Sequence, residues 1–122
     1  MNITVISVGK IKEKYFTAAI DEYSKRLSRF AKLNIIEVAD EKIPDNASEK
    51  EMEQIKEKEG NKILAKLPQN SFVVTLCIEG KEHSSEELAK KIADISMTSS
   101  HITFIIGGSL GLSDTVKSKS AL

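Results

Sequence analysis

A chain of 122 residues suits one domain built around one core. It is 40% hydrophobic and 30% charged, and its 18 basic residues equal its 18 acidic ones, so no global field marks it for nucleic acid or an acidic partner. One cysteine excludes an intramolecular disulfide framework and fits a reducing cytoplasm; no apolar run approaches the roughly 20 residues of a membrane span, and the start lacks the layout of a signal peptide.

The charge is unevenly spread. Residues 1–32 hold seven bases and three acids, residues 33–66 six and nine, and residues 67–122 five and six. A solvated helix face accounts for the basic start more simply than an RNA footprint does.

Ile3, Val5, Ile6 and Val8 make a β-rich run that stops at Gly9. With little clean alternation, it suits a strand buried on both faces. Phe16, Ile20, Tyr23, Leu27 and Phe30 then recur at three- and four-residue steps and form one apolar helix stripe. Lys12, Lys14, Lys25, Arg26 and Arg29 surround it. Residues 33–38 give a second strand, and Pro44, Asp45 and Asn46 mark a polar connection. Ser48 and Glu51 have capping-box spacing for a second helix, with Met52, Ile55, Ile63 and Leu64 on its inner side. Gly60 weakens the middle of that helix by about 1 kcal/mol relative to Ala. The charge run at 49–59 reads as a solvated face.

Pro68, Gln69 and Asn70 break the helix, and residues 72–78 predict a third strand. Ser84 and Glu87 form another capping box, with Leu88, Ile92 and Ile95 facing inward from a third helix. Residues 97–101 are a loop, and 102–106 are a short apolar strand running into Gly107-Gly108-Ser109-Leu110-Gly111. Ser113 and Asp114 open a further helix. The alternation of strands and helices calls for a mostly parallel sheet with flanking helices, joined by right-handed crossovers. Nothing repeats, and no low-complexity linker divides the chain, so residues 1–122 form a single domain.

The chemistry narrows by elimination. A dinucleotide fold places G-x-G-x-x-G after its first strand, whereas here Val8 is followed by the lone Gly9. Gly9-Lys10-Ile11 and Gly80-Lys81-Glu82 both fail the phosphate-loop pattern. The glycines cluster after the fourth strand, where backbone rather than side chain meets a ligand. A tight strand-to-helix turn explains the same residues. His83, His101 and Cys77 match no metal-ligand spacing. Cys77 reads as a small buried hydrophobe, and Ser84 and Ser85 as caps rather than nucleophiles. Leu76 stands near the carboxyl end of the third strand; if strands three and four are neighbours, it shares a crevice with Gly107 and Gly108. On pattern alone, ordinary core packing is the simpler account of Leu76.

Taken together, Val8-Gly9-Lys10, Glu13-Lys14, Tyr23, Arg26-Leu27, Lys58-Glu59-Gly60, Ile63-Leu64, Leu76, Gly80-Lys81, Ser84-Ser85-Glu86, residues 104–109 and Gly111-Leu112 resemble, in collinear order along the entire chain, the ribosomal RNA large subunit methyltransferase H family. The resemblance implies a SPOUT (α/β-knot, trefoil knot) methyltransferase-like fold. It implies a transferase that moves a methyl group from S-adenosyl-L-methionine to N3 of a pseudouridine in 23S rRNA of the assembled ribosome. It implies a cytoplasmic homodimer with no metal and no membrane segment. Leu76 and Gly108 are then expected to contact the cofactor, with Gly107 shaping the loop. The catalytic base remains unassigned, and Lys10, Lys12 and Lys14 are candidate phosphate contacts. Family members continue past the position of Leu122 with a further cofactor loop, a strand and a helix, so the expected domain is C-terminally incomplete, its knot segment missing. The alternative is a truncated, catalytically inactive cofactor-binding or ribosome-associated module with the same fold core. A nucleotide-binding α/β protein of another class fits the glycine placement poorly.

Overall fold

The structure is a computed structural model that describes residues 1–9, 14–77, 80–108 and 110–121. The expectations placed on Lys10, Lys12, Glu13, Ile78, Ser109 and the side chain of Lys14 lie outside those residues. Among the described residues four strands and four helices alternate: β1 (Asn2–Val8), α1 (Lys14–Leu27), β2 (Lys32–Val38), α2 (Glu49–Lys66), β3 (Phe72–Leu76), α3 (Ser85–Ser96), β4 (His101–Ile106) and α4 (Asp114–Lys117). The described strands form one sheet in the order β2-β1-β4-β3, and every pairing is parallel. β3 and β4 are neighbours, with Leu76 opposite Ile106. The third strand is shorter than expected: it closes at Leu76, so Cys77 stands just past its end. The fourth begins one residue early, at His101.

Register explains the core. Ile6 lies between Ile36 and Ile105, so these side chains share a face. On that face Ile6, Val38, Val73 and Ile105 pack with Ile63 of α2, Leu112, and Val116 of α4. Ile6, Ile105 and Val116 are fully buried. At the amino end of the same face, hydroxyls replace carbon. Thr4 Oγ1 lies 2.8 Å from His101 Nε2, and Thr103 Oγ1 donates to Ser71 Oγ at 3.0 Å. Thr4 and Thr103 are buried, so these bonds offset the desolvation of their hydroxyls.

Both anticipated capping boxes form. The Ser48 hydroxyl accepts from Glu51 N–H at 3.2 Å, and the Ser84 hydroxyl from Glu87 N–H at 3.1 Å. The charge run on α2 is only partly a solvated face: Glu59 and Gly60 are buried, and Lys56 is half-buried. Gly60 is there for close packing. A Cβ on it would fall 2.6 Å from Ser113 Oγ and 3.0 Å from Val116 Cγ2. The inward residues of α3, Leu88, Ile92 and Ile95, are half-buried rather than enclosed.

The stripe on α1 is largely open. Ile20 is half-buried, but Phe16, Tyr23 and Leu27 are exposed, and Phe30, beyond the helix, is 80% exposed. α1 meets the sheet at β2 and leaves the rest of its apolar side uncovered. At the opposite edge, Ala121 N–H donates to the Val73 carbonyl at 2.8 Å, so residues 120–121 run along the outer side of β3.

Candidate functional site

The carboxyl ends of β3 and β4 make the site. Leaving β4, the chain turns sharply through Gly107 and Gly108. Gly111 N–H returns to the Gly108 carbonyl at 3.0 Å, and Gly111 itself takes φ +85°, a conformation glycine adopts without strain. Ser113 then caps α4, its hydroxyl accepting from Val116 N–H at 3.3 Å. At Gly107 a Cβ would lie 2.9 Å from the Gly111 carbonyl carbon and 3.0 Å from the Leu112 side chain. At Gly108 it would lie 3.2 Å from both Glu59 Oε1 and Val8 Cγ1. A side chain is excluded at Gly107 and tightly crowded at Gly108, and each glycine offers only main chain to the space above it.

That space is a cavity of about 190 Å³ lined by Leu76, Ile106, Gly107, Gly108, Lys56 and Lys117, among others. Leu76 is 53% exposed at the end of its strand, so its apolar surface belongs to the cavity rather than to the core. The sheet thus brings Leu76, Gly107 and Gly108 to one crevice. Leu76, Cys77 and Lys117 also border a larger cavity of about 560 Å³, with Lys81, His83 and Lys91 on its wall. Together the two offer the space of a small-molecule site.

Below the glycine turn lies a buried carboxylate. Glu59 is 5% exposed; its Oε2 accepts the Glu41 N–H at 2.9 Å. Lys62 Nζ bonds the Glu41 carboxylate at 2.8 Å and donates to the Ala39 carbonyl at 3.1 Å. The Lys62 hydrogen bond, joined by its charge, holds the Glu41 carboxyl below the usual carboxylate range.

The remaining candidates fall elsewhere. His101 bonds Thr4 at the opposite end of the sheet. His83 Nδ1 is buried without a hydrogen bond, and Glu87 Oε2 stands 3.7 Å away. Cys77 is half-buried, and its thiol lies 3.4 Å from Thr75 Oγ1. Ser84 is the α3 cap, and Ser85 the first residue of that helix. Among the described residues no His, Cys, Asp and Glu group is placed to hold a metal ion. No described helix is long and apolar enough to cross a membrane.

Sequence reasoning missed Glu59 as a buried group and Lys56 as a cavity residue. The signal for Glu59 was present: it stands four residues after Ile55 and four before Ile63, on the buried stripe of α2.

Comparison with known proteins bears on this geometry. The family model described as "Predicted SPOUT methyltransferase" matches residues 1–122. The chain is 62% identical over 120 residues to a Clostridium botulinum (strain Kyoto / Type A2) protein named ribosomal RNA large subunit methyltransferase H, covering 98% of this chain and 76% of that protein. It is 60% identical over 121 residues to the protein of that name from C. botulinum strain Alaska E43, covering 98% and 76%. It is 62% identical over 117 residues to ribosomal RNA large subunit methyltransferase H 1 of Clostridium perfringens (strain SM101), covering 95% and 74%.

Proposed function

Because the chain belongs to the SPOUT methyltransferase family, we propose that it is a cytoplasmic ribosomal RNA methyltransferase that uses S-adenosylmethionine, with N3 of a pseudouridine in 23S rRNA of the assembled ribosome as the methyl acceptor. The observation that carries this reading is the convergence of Leu76, Gly107 and Gly108 on one cavity at the carboxyl ends of two neighbouring parallel strands.

The residues fit the cofactor. Two glycines whose side-chain positions are crowded by neighbours leave main-chain groups facing the cavity, and Leu76 offers an apolar surface for a flat base. When bound, the cofactor supplies a methyl group already activated by its sulfonium, so the protein's share of the work is positioning. No Asp, Glu or His lines the cavity at Gly107 and Gly108 among the described residues. The part of this wall is therefore to orient the reactants. Lys56 and Lys117 on the cavity wall would lend positive charge to an imide nitrogen losing its proton or to an RNA phosphate brought to this cavity. The open stripe of α1 supports a homodimeric assembly, since large exposed apolar surfaces mark interaction sites.

Calorimetry with S-adenosylmethionine tests the cofactor. Binding is expected for the native chain and is lost in Gly108→Val, whose branched side chain collides with Glu59 and Val8. Absence of binding by folded native protein sinks the cofactor assignment. Mass spectrometry of 23S rRNA from a strain lacking the gene tests the substrate: the pseudouridine methyl group should be missing there and return on complementation. Cofactor binding without that change in the RNA would instead favour a binding module without catalysis.

A further inference from the structure

We infer that Glu59 is a positioning residue that sets the Gly107–Gly108 turn from below and ties it to the loop after β2; the inference rests on the reading of that turn as a cofactor site. A buried carboxylate is costly unless its oxygens are well occupied. Glu59 is 5% exposed, on a helix whose neighbouring inward positions are Ile55 and Ile63. An apolar residue there would pack with less penalty, so the acid has a task that carbon cannot perform.

The contacts define the task. One oxygen accepts the Glu41 N–H at 2.9 Å, in a loop that Lys62 clamps twice, at the Glu41 carboxylate and at the Ala39 carbonyl. The other lies against Gly108: a Cβ at that position would stand 3.2 Å from Oε1. Val8, the last residue of β1, closes the far side of the same position, also at 3.2 Å. Glu59 therefore spans two segments: it accepts from the loop after β2 and flanks the side-chain position of Gly108, whose other side is closed by Val8 at the end of β1. Its neighbour Gly60 lets Ser113 approach the same helix turn, so α2 supports both ends of the loop between β4 and α4. A shift of the carboxylate moves the main-chain groups of Gly107 and Gly108, and small misplacements of positioning groups are expensive in a site that works by orientation.

This role depends on shape and on an acceptor oxygen, not on charge. Glu59→Gln keeps both and is expected to bind S-adenosylmethionine within about threefold of the native affinity. Glu59→Ala empties the space below Gly108 and strands the Glu41 N–H, and should weaken binding by about tenfold or more. Ile63→Val provides the control: it trims a core side chain on the same helix, lowering the melting temperature with affinity unchanged. If Glu59→Ala does not fold, Glu59→Asp, which withdraws the carboxylate by one methylene, should show the same loss. Native affinity in Glu59→Ala or Glu59→Asp overturns the inference. So does equal loss in Glu59→Gln, or a loss in Ile63→Val that matches Glu59→Ala.

Hydrogen exchange separates this inference from the cofactor reading. The Gly111 amide, bonded to the Gly108 carbonyl, should exchange about tenfold faster in ligand-free Glu59→Ala and not in Ile63→Val. Faster exchange with no cofactor binding by the native chain would sink the cofactor site and leave Glu59's role standing. Unchanged exchange overturns that role whether or not the cofactor binds.

Discussion

Gly60 shows two demands meeting at one residue. Helix propensity disfavours glycine there by about 1 kcal/mol relative to alanine. Tertiary packing requires it, because a Cβ would lie 2.6 Å from Ser113 Oγ and 3.0 Å from Val116 Cγ2. Neither neighbour can yield easily. The Ser113 hydroxyl is engaged by Val116 N–H at 3.3 Å, and Val116 is fully buried. Overpacking of this kind costs about 1–3 kcal/mol, so it outweighs the propensity gain. Gly60→Ala should therefore lower the urea midpoint; a raised midpoint would show that α2 and α4 separate freely. The glycine itself was plain in the sequence, but its reason was not, since the partner lies 53 positions away and no local pattern reports it. Glu59, beside it, was legible in principle from its spacing between Ile55 and Ile63, and was hidden by the charged run that leads up to it.

The helices divide by how local their causes are. Capping depends on four consecutive residues, so both boxes could be read from sequence, and both are present. Ser48→Ala removes the acceptor for the Glu51 N–H and should cost about 1 kcal/mol in chemical denaturation. At α3 the same geometry gives a pH dependence. The Glu87 carboxyl is held below its ordinary value, first by its hydrogen bond with the Ser84 side chain and then by the Ser84 backbone. A depressed folded value means that the contribution is present above the ordinary carboxylate pKa and is lost as pH falls through the lower folded one. The Ser84 amide resonance should therefore titrate on the acid side of the ordinary glutamate range. Glu87→Gln should abolish that titration, and persistence of the titration would assign it to another group. Strand order behaved differently. Each strand was visible as an apolar run, yet the placement of β4 between β1 and β3 follows from pairings some 30 to 100 positions apart, which no segment records. That placement sets Leu76 against the glycine turn, so the candidate residues could be picked out singly while their meeting was conditional on topology.

At the scale of the molecule, the sheet has one closed face and one partly open one. The face bearing Ile6 and Ile105 is sealed by α2, Leu112 and Val116. On the other, Ile35, Leu76 and Ile106 keep 46%, 53% and 41% of their surface in solvent. The apolar stripe of α1 runs only from Phe16 to Leu27, with Phe30 past the helix end, and amphipathicity says only that a stripe needs cover, not what covers it. Here Phe16, Tyr23, Leu27 and Phe30 remain open, and solvent contact of so many large side chains carries a free-energy penalty that association relieves. The proposed homodimer therefore makes a definite claim about these residues. Sedimentation of the native chain should show concentration-dependent self-association. Phe16→Lys combined with Tyr23→Lys places two desolvated charges in the covered face and should weaken that association by at least about tenfold. Glu22→Gln, on an exposed residue of the same helix whose partner Arg26 also lies in solvent, should change it little, because such an ion pair contributes only a few tenths of a kcal/mol. Equal weakening by both variants would indicate that helix stability, not the apolar stripe, governs assembly. A native chain that stays monomeric at every concentration would remove the homodimer from the proposal.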